Sequence, residues 1–105
     1  MKARFFGLAH QRLLEIWQYS FESWGENQAD SYVTGILEFA ESLAEKPRAG
    51  RLVGGSGFDG IYCARYRHHY LFFRRLSGGD IGVLSILHER MDLPARLVED
   101  MEGMR

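Results

Sequence analysis

The chain contains a single cysteine, Cys63, and it has no long uninterrupted apolar run. One cysteine cannot form an internal disulfide or a cysteine-based metal knuckle, which favours a reducing compartment. No apolar run approaches the roughly 18 residues needed to cross a bilayer, and the N-terminus shows no secretion-type apolar segment. The formal net charge of -1 provides no bulk attraction for polyanions. We therefore expect a cytoplasmic protein that binds no cofactor, metal or membrane, and for which direct nucleic-acid binding is not expected.

The composition is that of a small globular domain spanning residues 1–105, since 46% of the residues are hydrophobic and 26% are charged. The charge is unevenly distributed along the chain. Between Ile61 and Gly79 there is no acidic residue, whereas residues 89–102 contain five acids. The basic residues of the first segment are Arg65, Arg67, His68, His69, Arg74 and Arg75.

Two helices are predicted in the first half of the chain, after a short strand formed by the opening residues KARFFGLA. The first helix starts at Ala9 and carries apolar residues three and four positions apart, which favours packing of Trp24 in the apolar stripe over the alternative, an exposed anchor for a partner at the hairpin tip. Tyr19 points to the polar side and is expected to be at least partly exposed. Gly25 is expected to end this helix, and Asn27 to cap a second one over residues 27–45, before Pro47. The first stripe comprises Leu13, Ile16, Trp17, Phe21 and Trp24.

Gly35 lies inside the second predicted helix, where glycine costs about 1 kcal/mol relative to alanine. This cost predicts a close approach, which we expect to be to the neighbouring helix. The five-glycine segment RAGRLVGGSGFDG that follows is predicted to be a plain loop, because it lacks both a Walker sequence and a dinucleotide fingerprint.

From Ile61 the apolar pattern changes to the two-residue period of a strand. A strand over residues 61–67 would place Arg65 and Arg67 on the same face. The apolar run at 70–73 predicts a central strand covered on both sides, and SGGD predicts a hairpin turn before a strand at 81–87. A last helix opens near Pro94. The predicted fold is α+β with the order β-α-α-β-β-β-α, in which a helical hairpin packs on an antiparallel sheet.

The sequence HER at positions 88–90 contains an imidazole, a carboxylate and a cation, the groups that a ribonuclease needs. Adjacent strand residues point to opposite faces, so we expect His88 to be a sheet-end histidine bonded to the backbone or to Asp92. For the same reason at most one of His68 and His69 is expected to reach His88, and no metal site is predicted. The basic segment suits either phosphate or an acidic peptide, and a free-standing RNA-binding module remains an alternative.

Three stretches of the sequence resemble the ParE branch of the RelE/ParE toxin superfamily, and together they span nearly the whole chain. They are LLEIWQYSFESWGENQADSYVTGILEFAESLAEKP, YCARYRHHYLFFRR and GVLSILHERMD. The resemblance implies a compact toxin that is encoded beside an antitoxin, whose C-terminal segment wraps the toxin. ParE-like members are reported to poison DNA gyrase, whereas RelE-like members cut messenger RNA on the ribosome.

The resemblance also bears on the choice between these two activities. The positions where RelE-like ribonucleases carry basic and C-terminal aromatic or histidine groups here hold Tyr70, Glu89 and the tail MEGMR. We therefore expect a non-enzymatic toxin that inhibits gyrase, with ribosome-dependent mRNA cleavage as the alternative. The expected antitoxin-binding residues are Arg65, Arg67, Arg74, Trp17 and Tyr19. The expected target-binding residues are Trp24, His88, Arg90 and Met91, and the ribonuclease alternative would use His88, Arg90 and Arg74.

Overall fold

The computed structural model describes residues 2–54, 57–91 and 93–102. No helix in these segments is long and apolar enough to span a membrane. The described elements, in chain order, are strand β1 (Ala3–Phe5), helices α1 (Gly7–Trp24) and α2 (Glu26–Glu45), strands β2 (Arg51–Leu52), β3 (Ile61–Tyr66), β4 (His69–Arg75) and β5 (Ile81–His88), and helix α3 (Leu93–Glu102).

The sheet has the strand order β1-β5-β4-β3-β2 within the described residues. Strands β2, β3, β4 and β5 pair antiparallel, and β1 pairs parallel to β5. The predicted α+β class and element order are confirmed. Two details were wrong: the sheet is mixed because β1 enters in the same direction as β5, and the glycine-rich loop contains the short strand β2, which extends the sheet beyond β3.

The helices cover both faces of the sheet and form two separate cores. The α1–α2 hairpin packs on one face, and α3 packs on the other face through Leu97. Side chains of β4 alternate between the two cores, since Leu71 and Phe73 enter the hairpin core and Phe72 enters the α3 core. The prediction of a central strand covered on both sides is confirmed.

The helical hairpin turns at Gly25, whose φ of 92° is strained for any other residue. The prediction that Gly25 ends the first helix is confirmed. The proposed cap at Asn27 was wrong, because α2 already begins at Glu26 and Gly25 occupies the capping position without a side chain. The first helix also begins earlier than predicted, at Gly7, because β1 ends after only three residues.

Gly35 makes the close approach that its cost in a helix predicted, but with a different partner. A Cβ at this position would overlap the Tyr66 hydroxyl and lie 2.8 Å from Tyr66 Cζ. Tyr66 belongs to β3, so the glycine brings α2 onto the sheet. The expected contact with the neighbouring helix was therefore wrong, because the face of α2 that carries Gly35 packs on the strand.

Helix α3 is joined to α1 by a buried ion pair that passes the edge of β5. Asp100, 5% exposed, accepts a hydrogen bond of 2.8 Å from Arg12 Nη2 and another from the Ser85 hydroxyl. Strand β1 pairs with β5 only as far as Val83, so the rest of this edge is open to the Arg12 side chain. The pair connects the helices on the two faces of the sheet.

Candidate functional site

Three histidines meet at the end of the sheet where β3 turns into β4 and β5 ends. His69 pairs with His88 across the strands, and their ring centroids are 5.0 Å apart. The His68 ring stacks on His88 with centroids 6.3 Å apart. The prediction that only one of the adjacent histidines reaches His88 was wrong, because His68 lies in the turn and not in a strand. A backbone hydrogen bond of 2.8 Å from Glu89 to the His68 carbonyl holds that turn beside β5.

Glu89 neutralises part of the positive charge at this end of the sheet. Its carboxylate accepts hydrogen bonds from His68 Nδ1, at 3.1 Å, and from Arg65 Nη2. The hydrogen bond from His68 and the charge of Arg65 lower the pKa of Glu89. The carboxylate is therefore ionised at neutral pH, and it occupies the Arg65 guanidinium and the His68 ring, two groups that a phosphate would need as hydrogen-bond donors.

His69 connects the sheet to α2 and is held in its neutral form. Its Nδ1 is 2.7 Å from the Tyr32 hydroxyl. Burial, followed by the neighbouring His88 and His68, lowers the pKa of His69 to about 4. Burial also raises the pKa of Tyr32, so the hydrogen bond joins a neutral phenol to a neutral imidazole.

His88 is bonded to the backbone, which confirms the contact expected for a histidine at the end of the sheet. Its Nδ1 accepts the Arg90 backbone N–H at 3.0 Å. The other partner considered, Asp92, lies outside the described residues. Because Arg74 is five residues along β4 from the partner of His88, its backbone is about 17 Å away. The combination of His88, Arg90 and Arg74 predicted for a ribonuclease does not converge.

The basic segment is divided between different parts of the surface. Arg65 lies on the α3 face of β3, with its guanidinium 5.7 Å from the Tyr70 ring. Arg67 has left the strand with a φ of 52° and lies 5.6 Å from the Tyr66 ring. The predicted sharing of one face by Arg65 and Arg67 was wrong, because β3 ends at Tyr66. Arg74 shares the face of Arg65, but its pairing with Ile61 places it about 13 Å along the sheet.

Helix α1 carries an exposed apolar stripe beside its buried face. Trp17 and Phe21 stack with centroids 5.2 Å apart, and the Trp17 indole donates to Asp30 of α2 at 2.8 Å. Tyr19 is 68% exposed, as predicted. Trp24 is 72% exposed at the tip of the hairpin, so the prediction that it packs in the apolar stripe was wrong. This outer side of α1 comprises the exposed Leu14, Phe21 and Trp24 and the half-buried Trp17.

The expected target-binding residues lie at one end of the molecule. Tyr32 of α2 contacts His69, which pairs with His88, so the start of α2 projects about 9 Å beyond the end of the sheet. Trp24 lies at that projecting tip, and Arg90 and Met91 follow β5 at the same end. Arg90 is exposed and Met91 is 40% exposed. This surface combines apolar and cationic side chains.

The expected antitoxin-binding residues are distributed over both faces of the molecule. Arg65 and Arg74 lie on the α3 face, whereas Trp17 and Tyr19 belong to α1 on the opposite face. Arg67 lies in the turn between them. A single ligand could contact all five residues only by wrapping around an edge of the sheet.

The described part of the chain contains no cluster of side chains suited to bind a metal ion. No group of three or more histidine, cysteine, aspartate or glutamate side chains there has an arrangement that could hold one. All three imidazoles already use Nδ1 for hydrogen bonds, to Tyr32, to Glu89 and to the Arg90 backbone. Of the tail MEGMR, residues 103–105 lie outside the described segments.

Sequence reasoning missed two groups that shape these surfaces. Arg51 was assigned to a loop, although the following Leu52 and Val53 gave a short strand-like signal between glycines. The contact between Tyr32 and His69 joins residues 37 positions apart, and no local sequence pattern predicts such a pair. The position of Arg51 depends on the pairing of β2 with β3, and the contact of Tyr32 with His69 depends on the packing of α2 on the sheet.

Comparison with known proteins identifies the family of the chain. The family described as ParE toxin of type II toxin-antitoxin system, parDE, matches residues 4–93. Toxin ParE1 of Mycobacterium tuberculosis (strain ATCC 25618 / H37Rv) is 32% identical over 91 residues, which is 85% of this chain and 90% of the relative. Toxin ParE of Escherichia coli is 33% identical over 103 residues, 90% of this chain and 91% of the relative.

Solved structures of the same fold come from two toxin-antitoxin systems. A chain of the chromosomal ParDE system from P. aeruginosa matches with a TM-score of 0.69 and 22% identity, covering 84% of this chain and 95% of that chain. A chain of the toxin-antitoxin complex RelBE2 from Mycobacterium tuberculosis matches with a TM-score of 0.64 and 20% identity, covering 83% and 88%. With the family match and the sequence relatives, these findings lead to one conclusion: the chain belongs to the ParE toxin family of type II toxin-antitoxin systems.

Proposed function

We propose that the protein inhibits DNA gyrase without catalysing a reaction, and that a cognate antitoxin neutralises it in the cytoplasm. The non-enzymatic mechanism is supported by the hydrogen bonds of Glu89 at the end of the sheet where the three histidines lie. Glu89 accepts hydrogen bonds from Arg65 and His68 there, so a phosphate would meet a fixed carboxylate where it needs free cations.

The choice of gyrase rests on family membership together with the surface at the hairpin tip. Trp24, Arg90 and Met91 are exposed at one end of the molecule. Tryptophan and arginine are the residue types that most often dominate the binding energy of protein interfaces. A toxin of this kind needs a well-ordered surface that binds its target, and the stacked Trp17 and Phe21, four residues apart, help to stabilise the helix that carries Trp24.

A supercoiling reaction with purified gyrase tests this proposal. We expect the protein to reduce supercoiling or to accumulate cleaved DNA at micromolar concentration, and Trp24→Ser to weaken the effect about tenfold or more. Leu52→Ser is the matched control, because Leu52 is also exposed, at 65%, but lies on β2 at the far edge of the sheet. An absence of any effect at micromolar excess would contradict the proposed target.

For the antitoxin we propose a segment that wraps the toxin, with an amphipathic helix near Trp17 and Tyr19 and acidic residues near the arginines of the sheet. The separation of Arg65 and Arg74 from α1 supports wrapping over binding in one groove. Replacing Arg65 and Arg67 together by alanine should accelerate dissociation of the antitoxin. An unchanged off-rate in surface plasmon resonance would remove these arginines from the interface.

The alternative function is ribosome-dependent cleavage of messenger RNA. The observation that favours it is the meeting of three imidazoles, with His69 and His68 centroids 5.0 and 6.3 Å from that of His88. This alternative predicts cleavage of a translated message that disappears in His88→Ala. Our proposal predicts no cleavage above background in the same extract.

A further inference from the structure

A cavity of about 410 Å³ lies beside the short edge strand β2, on the face of the sheet that also carries α3. Arg51 of β2 pairs with Cys63 of β3, so the two side chains leave the sheet on the same face. Arg65 lies two residues further along β3 and pairs with Tyr70. The lining residues are Gly50, Arg51, Cys63, Ala64, Arg65 and Tyr70.

The Arg65 guanidinium is already fixed in position at this cavity. Its Nε donates to the Arg67 carbonyl at 2.7 Å, and its Nη2 donates to Glu89. The Tyr70 ring lies 5.7 Å from the guanidinium carbon. Since these contacts leave Nη1 without a described partner, an incoming anion would meet a donor whose orientation needs no further ordering.

Arg51 supplies a second and unneutralised cation. It is exposed, and among the described residues it forms no ion pair. Its positive charge acts on the Cys63 thiol, where it opposes the rise in pKa caused by burial. Two guanidinium groups therefore border one cavity, and the carboxylate of Glu89 accounts for only part of the charge of one of them.

We infer that this cavity, which we call the β2 pocket, binds a side-chain carboxylate of an acidic peptide between Arg51 and Arg65, with the Tyr70 hydroxyl as a further donor. An acidic peptide fits better than a nucleic acid for two reasons. The fixed Glu89 carboxylate repels a chain of phosphates more strongly than a single carboxylate, and the outer edge of β2 has no strand neighbour in the described sheet. An extended peptide beside that edge would direct alternate side chains over the pocket.

The inference rests on the proposed function only in naming the antitoxin as the source of the peptide. It also refines the expected contacts, because Arg51 takes part, whereas Arg67 and Arg74 lie outside the pocket. Binding in the pocket does not depend on gyrase.

Cys63 provides a local reporter of occupancy, because it is the only cysteine of the chain and lines the pocket. The experiment measures the rate at which iodoacetamide alkylates Cys63 at mildly alkaline pH, followed by mass spectrometry of the intact protein. The probe is a short acetylated and amidated peptide of alternating alanine and glutamate. Two control ligands are tested in the same way: the same peptide with glutamine in place of glutamate, and an oligothymidylate of similar charge.

We expect the glutamate peptide to slow alkylation about threefold when its concentration is about twice a Kd near 1 mM, whereas the glutamine peptide has no effect. Arg51→Gln and Arg65→Gln should each remove most of this protection, measured as the ratio of rates with and without peptide in the same variant. Arg4→Gln is the matched control and should keep it, because it removes an equal charge from β1 at the opposite edge of the sheet.

Three results would overturn the inference. They are an absence of protection by the glutamate peptide, equal protection by the oligothymidylate, and a loss of protection in Arg4→Gln as large as in Arg51→Gln. The gyrase reaction is scored separately on the same protein. A toxin that inhibits gyrase but shows no protection of Cys63 disproves the pocket alone, and the reverse result disproves the target alone.

Discussion

The contact between Gly35 of α2 and Tyr66 of β3 predicts that Gly35→Ala destabilises the protein. At an ordinary helix position this substitution stabilises by about 1 kcal/mol. Here the new Cβ would overlap the Tyr66 hydroxyl and lie 2.8 Å from Cζ. The ring cannot swing aside easily, because the rings of Tyr32 and Phe39 lie 5.6 and 5.4 Å away from it.

The size of the effect follows from these two opposing terms. Forcing an additional methyl group into a packed site costs about 1 to 3 kcal/mol, and overlap with two atoms of a confined ring places this site at the upper end. Subtracting the gain of about 1 kcal/mol in helix propensity leaves a net loss of about 2 kcal/mol. Helix α2 would move away from β3 to relieve the overlap.

Urea unfolding measures this loss as a lower midpoint at an unchanged m-value. The same substitution should become neutral or stabilising in a Tyr66→Ala background, because the ring that it meets is gone. Gly7→Ala is the matched control, since nothing lies within 4 Å of a Cβ at this other helical glycine. A higher midpoint for Gly35→Ala, or an equal loss in both backgrounds, would refute the packing argument.

Two further predictions concern stability. Folding lowers the pKa of His69 from 6.5 to about 4, so the unfolded chain binds a proton here more readily than the folded protein. The contribution of neutral His69 to the free energy of unfolding is complete above pH 6.5 and is lost as the pH falls towards 4, with a slope of at most about 1.4 kcal/mol per pH unit. In His69→Gln the urea midpoint should therefore depend less on pH between pH 6.5 and 5. Arg12→Ala should cost about 2 to 4 kcal/mol in urea unfolding, because it leaves the buried Asp100 carboxylate without its cation.

Each of these predictions has a control within the chain. His10→Gln, which removes an exposed histidine of α1, is the matched control for His69→Gln. Arg96→Ala breaks a looser ion pair of 3.7 Å with Glu99 on the surface of α3 and should cost less than about 1 kcal/mol. If His69→Gln retains the full pH dependence, another group titrates; if Arg12→Ala costs no more than Arg96→Ala, the buried pair does not join the helices.

Local patterns in the sequence predicted most of the fold, because all but the shortest elements have a strong signal of their own. The period of three and four marked both helices, Gly25 marked the turn between them, and the two-residue period after Gly60 marked the strands. Strand β2 escaped prediction because two residues are too few to establish a period. The parallel direction of β1 depends on a partner more than 70 residues away, which no local pattern encodes.

The candidate site was predicted less well, because side-chain neighbours depend on where each strand ends. Ending β3 one residue earlier, at Tyr66, separates Arg67 from Arg65 and places His68 in a turn beside His88. The same end brings Glu89 to Arg65, a pairing between residues 24 positions apart. The backbone contact of His88 was predictable from its place at the end of a strand, whereas the pairing of Glu89 with Arg65 and His68 was not.

The central proposal is that this toxin acts by binding gyrase and not by cleaving RNA. A direct measurement of gyrase binding tests it. Purified gyrase is passed over immobilised toxin in biolayer interferometry, with wild type and Trp24→Ser measured side by side. We predict saturable binding of micromolar affinity or tighter for the wild type, weakened about tenfold or more in Trp24→Ser. No saturable binding of gyrase, together with cleavage of a translated message by the same preparation, would contradict the claim.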